Sequence, residues 1–183
     1  MKVLAKLITF LSKTVSRVFM YLLKPLFRVS GRNNIFSPYD SFSYSTISLG
    51  DDVFIGSGAK FSSIKSITIG NKVMFGPNVT IMGGDHNISS IGEYMFDVND
   101  KLPENDLPIY IEDDVWIGSN SIILKGVTIG RGSVIGAGSL VTKNIPENSI
   151  ALGCPAKVIK KRFSKDDYTK HLKLLKKQNI EKR

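Results

Sequence analysis

The feature that most constrains the fold is an apolar or small residue that recurs every six positions from Ile47 onward. A second apolar residue follows two places later, and Gly often comes next, as in VWIGSN, VTIGRG and SVIGAG. This pair favours a short strand, and the glycine favours a turn that needs a permissive backbone. A helix would need spacings of three and four, and a hairpin sheet would not keep a period of six. The repeat therefore predicts a parallel β-helix.

Two sets of residues make up the predicted core. The first members of the pairs are Ile47, Val53, Ala59, Ile67, Val73, Val79, Ile109, Val115, Ser121, Val127, Ser133, Ser139, Ile145 and Ala151. The second members are Leu49, Ile55, Phe61, Ile69, Phe75, Ile81, Ile111, Ile117, Ile123, Ile129, Ile135 and Val141. Each coil is expected to bury these side chains against the coils above and below, so that no single repeat is stable alone.

The repeat is interrupted twice. The spacing between Phe61 and Ile69 is longer by two residues, which predicts a small bulge near residues 62–64. The stretch 83–108 leaves the pattern altogether and contains His86, one of only two histidines. Insertions into solenoids project from corners and often carry binding or catalytic residues. The sequence therefore predicts a functional loop at 83–108.

The N-terminal segment reads as a basic amphipathic helix. Residues 1–39 contain no acidic residue, and six cations fall on one stripe of a helical wheel: Lys2, Lys6, Lys13, Arg17, Lys24 and Arg28. Pro25 is expected to end or kink the helix. Lys13 and Arg17 interrupt the apolar runs, which argues against a membrane span, and a signal peptide also fits poorly.

Two interpretations of this helix stay open. It could cover the open end of the β-helix, or residues 1–28 could lie in the headgroup layer of an anionic membrane. The chain is thus divided into a helix and linker (1–39), the β-helix domain (40–163) and a C-terminal basic helix (164–183) that begins near Ser164. His171, in the last segment, is predicted to be exposed.

Composition excludes several classes of function. The single cysteine, Cys154, cannot form an internal disulfide, and one Cys with two His does not supply a usual zinc ligand set, so no metal is expected. The net charge of +9 comes mostly from the two ends. Because these cations lack interleaved aromatic residues, nucleic-acid binding is not expected.

The segment DDVWIGSNSIILKGVTIGRGSVIGAGSLVTKNIPENSIALGCPAKVIKKRF, residues 113–163, closely resembles the hexapeptide-repeat acyltransferases, in particular the sugar and polysaccharide O-acetyltransferases. The resemblance extends over about residues 47–163. It implies an all-β fold, a left-handed parallel β-helix of triangular section, with terminal helices added here. It also implies a homotrimer with active sites between subunits, and acetyl-CoA as the donor. The segment GSGAKFSSIKS matches no acceptor-binding motif of these enzymes.

The resemblance also implies roles for individual residues. His86 falls at the place of the general base on the interrupting loop. The backbone amides of Ser119 and Ala137 fall where the thioester and the pantetheine arm are bound. The side chains expected to line the coenzyme or meet its phosphates are Thr142, Lys143, Lys157 and Lys160.

The predicted site residues are suited to acetyl transfer to a hydroxyl group. A sugar hydroxyl is a poor nucleophile, and imidazole titrates close enough to neutrality to remove its proton. A turn amide at Gly118–Ser119 could stabilise the oxyanion. Asp85 either orients the imidazole, contacts the acceptor or caps the loop. Asp97 is a candidate for binding sugar hydroxyls, and Trp116 either walls the acetyl pocket or lies at a subunit contact.

The expected function is therefore an acetyl-CoA-dependent O-acetyltransferase that acts on a sugar hydroxyl in capsule, lipopolysaccharide or exopolysaccharide biosynthesis. A cytoplasmic location is expected, with peripheral association at the inner face of the membrane if the N-terminal helix binds lipid. Two alternatives remain: N-acetylation of a nucleotide-linked amino sugar, and a non-catalytic β-helix used for binding or scaffolding.

Overall fold

The computed structural model describes residues 1–181, so residues 182–183 of the predicted C-terminal segment lie outside the described residues. Helix α1 spans Lys2–Leu23 and helix α2 spans Lys165–Glu181, and short 3-10 turns cover Lys24–Leu26, Tyr44–Thr46 and Pro103–Asn105. The strands within the described residues are β1 (Val29–Ser30), β2 (Ser41–Phe42), β3 (Ile47–Leu49), β4 (Phe54–Ile55), β5 (Lys60–Ser62), β6 (Ile67–Ile69), β7 (Met74–Phe75), β8 (Thr80–Met82), β9 (Ile109–Ile111), β10 (Trp116–Ile117), β11 (Ile122–Leu124), β12 (Thr128–Ile129), β13 (Val134–Ile135), β14 (Leu140–Val141), β15 (Ser149–Gly153) and β16 (Ala156–Lys161).

The strands form the three faces of a prism. Sheet A has the order β1-β3-β6-β9-β12, sheet B has β4-β7-β10-β13-β15-β16, and sheet C has β2-β5-β8-β11-β14. From β3 to β14, successive strands of the chain lie in A, B and C in turn. Paired strands are parallel except β15 with β16. We call the three corners the AB, BC and CA edges, after the faces that they join. The predicted parallel β-helix is confirmed.

The register confirms both interruptions of the repeat. In sheet C, Ile123 pairs with Val141 in the next coil, a step of three hexapeptides along the chain. Phe61 pairs with Ile81, and this step along the chain is two residues longer. Ile81 pairs with Ile123, so the whole stretch between β8 and β9 is accommodated as a loop without disturbing the strands on either side.

The predicted core residues line the inside of the prism. The inward aliphatic residues, from Ile47 to Ala151, are almost entirely buried. Ser121, Ser133 and Ser139 are buried at their predicted positions as well, and each donates its hydroxyl hydrogen to a backbone carbonyl. These hydrogen bonds offset the cost of burying a hydroxyl group in an otherwise apolar core.

The role predicted for the repeat glycines is wrong in one respect. The left-handed conformation is found two places after them, at Asp52, Lys72, Asn78 and Asn120 and at Gly58, Gly132 and Gly138. Glycine is needed instead because the coils approach closely. A Cβ atom at Gly118 would lie 2.5 Å from the amide nitrogen of Ala137 in the next coil.

The prism begins earlier than the sequence indicates. β1 already pairs with β3, so residues from Val29 onward, assigned above to a linker, belong to the first coils. Their core is aromatic rather than aliphatic, which hides the six-residue pattern. The rings of Phe27, Phe36, Phe42 and Tyr44 pack edge to face or tilted, with centroids 4.8–5.8 Å apart, and fill the N-terminal end of the prism.

Helix α1 ends before Pro25, as predicted, and only its last turns touch the prism. Met20 is its one buried residue, and Leu23 packs at the edge of the core. The apolar side chains from Val3 to Phe19 are about half exposed or more. In the single chain, therefore, the apolar face of α1 does not cover the end of the prism. No described helix has the length and apolar character needed to cross a membrane.

Helix α2 begins at the predicted place, since the Ser164 hydroxyl accepts a hydrogen bond from the Asp167 amide at 3.1 Å. The expectation that His171 is exposed is wrong. Its ring packs on Phe163 with centroids 5.0 Å apart, and its Nε2 atom lies 3.6 Å from Asp114 Oδ2, because α2 folds back on the last coils.

Candidate active site

A pocket of about 180 Å³ opens where the loop 83–108 leaves the CA edge after β8. It is lined by Ser62, Ser63, Ile64, Met82, Gly83, Gly84, Asp85, His86, Lys101 and Asp106. The two interruptions of the repeat therefore meet at one place: the bulge after β5 forms one wall, and the start and end of the loop form the other.

His86 lies at this pocket with an exposed side chain. Its backbone carbonyl accepts a hydrogen bond from the Asn105 side-chain amide at 3.3 Å. No described residue hydrogen-bonds to the imidazole, so both ring nitrogens are available to a ligand. An accessible imidazole beside a polar pocket can accept a proton from a bound hydroxyl group.

Asp85 does not orient that imidazole. Its carboxylate forms an ion pair with Lys125 of the next coil, with Oδ2 and Nζ 2.7 Å apart. Its amide donates to the Asn105 carbonyl at 2.8 Å. Of the three roles predicted for Asp85, these contacts match the one in which it caps the loop.

The pocket also contains an ion pair with a buried carboxylate, and a free hydroxyl. Both carboxylate oxygens of Asp106 lie 2.9 Å from Lys101 Nζ, and Asp106 is buried. Ser63 Oγ is buried and has no hydrogen-bond partner among the described residues. Such an atom can accept or donate one hydrogen bond to a polar ligand at little cost.

Most of these residues were not among the predicted site residues. Ser63 lies in the predicted bulge, so the longer spacing was its signal. Lys101, Asn105, Asp106 and Lys125 had no signal, because the irregular end of the loop returns to its start in a way that no periodicity specifies.

The predicted amides of Ser119 and Ala137 lie in successive coils on the BC edge, just after β10 and β13. Neither amide has an acceptor among the described residues, whereas the Gly118 amide donates to the Ile135 carbonyl at 2.8 Å. Of the predicted Gly118–Ser119 turn, the Ser119 amide is therefore the free donor.

The AB edge shows how these positions are otherwise satisfied. There the amides of Arg32, Asp51 and Asn71 each donate to the Asp or Asn side chain of the next coil, at 2.7–2.9 Å. Hydrogen bonds from Arg32 hold the pKa of the Asp51 carboxyl below its usual range, which keeps this acceptor ionised near neutrality. The equivalent residues on the BC edge are Ser57, Pro77, Ser119 and Ala137. Pro77 has no amide hydrogen, and the amides of the other three have no acceptor among the described residues.

The other predicted coenzyme residues lie near the C-terminal end of the prism and are exposed. Thr142 and Lys143 follow β14 on the CA edge, two coils beyond the start of the loop. Lys157 and Lys160 lie on β16, opposite Leu152 and Ile150 of β15. Their ammonium groups are therefore free to meet anionic groups.

These predicted residues fall into two groups within one chain. His86, Thr142 and Lys143 lie along the CA edge, and Ser119 and Ala137 lie along the BC edge. Sheet C separates the two edges by one strand of two or three residues, which amounts to roughly 7–10 Å at ~3.3 Å per residue. Within one chain, the two groups therefore lie on different edges of the prism.

Asp97 and Trp116 do not line the pocket. Asp97 is exposed in the loop. The Trp116 side chain is 51% exposed on the outer face of sheet B, where it is in register with Met74 and Val134. Phe54, beside Met74, continues this apolar column.

Comparison with known proteins supports the same repeat fold. Residues 108–143 match the family described as bacterial transferase hexapeptide (six repeats), and residues 46–82 match the hexapeptide repeat of succinyl-transferase. The matched ranges are the two stacks of coils on either side of the loop.

Individual relatives are acetyltransferases. The galactoside O-acetyltransferase of Lactococcus lactis is 38% identical over 151 residues, which are 81% of this chain and 70% of the relative. The Escherichia coli protein WbbJ, assigned to lipopolysaccharide biosynthesis as an O-acetyl transferase, is 35% identical over 67% of this chain and 64% of its own length.

Among solved structures, the hexapeptide-repeat acetyltransferase VCA0836 of Vibrio cholerae in complex with acetyl coenzyme A superposes with a TM-score of 0.71. It is 31% identical, over 79% of this chain and 76% of that one. The repeat, the prism with its interrupting loop, and these relatives together establish that the chain belongs to the hexapeptide-repeat acyltransferases with a left-handed β-helix.

Proposed function

We propose that the protein transfers an acetyl group from acetyl-CoA to a hydroxyl group of a sugar, with His86 as the general base. The observation that carries the proposal is the accessible imidazole of His86 at a polar pocket, in a fold whose BC edge offers two open backbone amides. The galactoside and lipopolysaccharide O-acetyltransferases among the relatives support a saccharide acceptor.

The proposed mechanism is direct transfer. His86 accepts the proton of the acceptor hydroxyl as its oxygen attacks the acetyl carbonyl carbon, and an ester bond replaces the thioester bond. The Ser119 amide donates a hydrogen bond to the carbonyl oxygen as negative charge develops on it. The imidazolium then returns the proton to the departing thiolate, so no covalent enzyme intermediate is needed.

The described residues fit acetyl-CoA as the donor. The open amides of Ser119 and Ala137 are free to receive carbonyl oxygens of a chain lying along the BC edge. The exposed ammonium groups of Lys143, Lys157 and Lys160 suit the phosphates of the nucleotide. Acetyl-CoA supplies an activated acyl group, and the chain supplies its position and the base.

We further propose that the active form is a homotrimer. The chain presents two different apolar surfaces: the column on sheet B that includes Phe54, Met74 and Trp116, and the exposed loop side chains Ile88, Ile91, Tyr94, Met95 and Phe96. Two distinct surfaces that pair with each other generate a closed ring of subunits when the rotation closes. This arrangement would also bring a CA edge beside a BC edge.

The proposed setting is the biosynthesis of a surface polysaccharide, with peripheral attachment to an anionic membrane through residues 1–28. The WbbJ relative supports the polysaccharide context. The projecting helix α1, with its cations on one side and exposed apolar residues on the other, supports attachment to lipid.

The test is replacement of His86 by Ala, followed by thiol release from acetyl-CoA with a panel of acceptors that includes galactosides, maltose and nucleotide sugars. We expect kcat to fall by roughly 10²–10⁴ while acetyl-CoA still binds. His171→Ala, which removes the other histidine, is the matched control and should retain activity. Turnover close to that of the unmodified protein in His86→Ala would rule out the assignment.

The product distinguishes the two acceptor chemistries. Mild alkali removes an acetyl ester and leaves an acetamide, so mass spectrometry before and after treatment identifies O-acetylation by loss of the acetyl mass. Persistence of that mass would instead identify N-acetylation of an amino sugar.

A further inference from the structure

The position of His86 is set by its backbone. No described residue hydrogen-bonds to the imidazole, in contrast to a base that is oriented by a neighbouring carboxylate. A general base must lie within hydrogen-bond reach of the proton that it removes. Whatever fixes the backbone around His86 therefore also fixes the base.

The two ends of the loop are tied together at this point. Gly84 and Asp106 form an antiparallel bridge, and the Asp85 amide donates to the Asn105 carbonyl at 2.8 Å. The buried Asn105 side chain donates to the His86 carbonyl at 3.3 Å and accepts from the Leu102 amide at 2.7 Å. These contacts join one end of the loop to the other, but not to the prism.

Lys125 makes the polar connection between the tied loop and the next coil. It follows β11 on the CA edge, directly above the start of the loop. Its Nζ atom lies 2.7 Å from Asp85 Oδ2 at the start of the loop and donates to the Glu104 carbonyl at 2.6 Å at the end. The Lys125 side chain is 21% exposed and that of Asp85 is 60% exposed, so the ammonium group is largely covered while the carboxylate reaches solvent.

We infer that Lys125 is a positioning residue for the general base: it holds both ends of the loop against the prism and thereby fixes the backbone at His86. The inference rests on the proposed function, since it concerns the placement of the base in that reaction. Lys125 itself does not line the pocket and is assigned no contact with acceptor or donor.

The expected effect is on the chemical step rather than on binding. A displacement of the base by ~1 Å can cost on the order of 10² in rate. Lys125→Met keeps most of the length of the side chain and removes its three donors. We expect kcat to fall about tenfold or more, with the affinity for acetyl-CoA unchanged because neither the BC-edge amides nor the side chains assigned to the coenzyme, Lys143 among them, are altered.

The experiment compares Lys125→Met with Lys72→Met. Lys72 forms an ion pair with Asp52 at 2.6 Å on the AB edge, away from the pocket, so it controls for loss of an ion pair as such. Thiol release from acetyl-CoA is measured with the best acceptor of the panel, and circular dichroism checks that each variant is folded. Lys125→Arg should recover part of the activity because it restores a cation with several donors.

A second measurement does not depend on the acceptor. Because the chain has only two histidines, spectra of protein with isotope-labelled histidine contain two imidazole signals, which His86→Ala and His171→Ala assign. Lys125→Met should move the His86 signals and leave those of His171 in place, and Lys72→Met should move neither. Asp85→Asn combined with Lys125→Met should cost no more than Lys125→Met alone, since the contact with Asp85 is already lost in that variant.

Three results would overturn the inference: full kcat in Lys125→Met, a lower kcat with unmoved His86 signals, or equal effects in Lys72→Met. These outcomes are distinct from failure of the proposed function, which would appear as retained turnover in His86→Ala.

Discussion

The open amides of the BC edge arise from the choice of single side chains. On the AB edge, Asp51, Asn71 and Asp113 each accept a hydrogen bond from the amide of the coil before them. At the matching position of the BC edge, Ala137 has no acceptor atom in its side chain. The same backbone therefore makes a ladder of side-chain hydrogen bonds along the AB edge from Arg32 to Asp113, and leaves free donors at Ser119 and Ala137 on the BC edge.

This contrast predicts the effect of Ala137→Asn. Asn71 accepts from the Asp51 amide at 2.9 Å, so an asparagine at 137 should accept from the Ser119 amide in the same way and withdraw it from the donor substrate. We expect kcat to fall by roughly 10²-fold, the cost of losing one oxyanion donor, with no loss of thermal stability. Ala137→Ser, whose side chain is small, is the control. Unchanged turnover in Ala137→Asn would show that the Ser119 amide is not used.

At the scale of elements, α1 and the prism differ in how they bury their apolar side chains. The prism strands bury one side chain in two, and the solenoid stacks them on each other. α1 instead presents exposed apolar residues along most of its length, and only its last turns pack on the aromatic cluster around Phe27. Its apolar surface therefore needs a partner outside the single chain, for which we propose lipid.

Deletion of residues 1–18 tests this proposal without opening the prism, because Met20, Leu23, Phe27 and β1 remain. We expect the deletion to lower cosedimentation with anionic phospholipid vesicles by at least tenfold, while binding to neutral vesicles is weak for both proteins. Lys13→Gln with Arg17→Gln should weaken binding to anionic vesicles in a salt-dependent way, at about 1 kcal/mol per cation. Equal cosedimentation of the full and shortened chains would contradict the proposal.

The sequence predicted those parts of the fold that repeat. The strands from β3 to β14, their inward residues and both interruptions follow from a six-residue period, because every coil obeys the same steric rule. Residues 29–39 were not predicted to be part of the prism because aromatic rings replace the aliphatic pairs there. For the site, His86 could be predicted from its place in the loop, whereas Asn105 and Lys125 could not, since their contacts depend on where an irregular segment returns.

At the scale of the whole molecule, the two groups of site residues lie on different edges. His86 is on the CA edge and Ser119 with Ala137 is on the BC edge, so one chain does not bring them together. If the homotrimer is cyclic, each site combines the CA edge of one subunit with the BC edge of its neighbour. When two variant chains are mixed, the number of complete sites then depends on which variants are neighbours in the trimer.

Co-expression of two impaired variants measures this directly. In mixed trimers of His86→Ala and Ala137→Asn chains, some sites receive His86 from one chain and Ala137 from the other. Random mixing at equal amounts should restore about a quarter of the sites in a cyclic assembly. Sedimentation analysis confirms that the assemblies are trimers. Activity no higher than that of the separate variants would mean that one chain supplies both residues.

The two ends of the prism affect whether molecules can associate end to end. A stack of parallel strands exposes unpaired amides and carbonyls in its first and last coils, and such edges invite addition of further strands and aggregation. Here β1 has only two residues, while β16 turns back antiparallel on β15 and α2 contacts the last coils through Tyr168 and His171. Short and reversed terminal strands disfavour end-to-end addition of further coils, which leaves the faces of the prism as the surfaces for association.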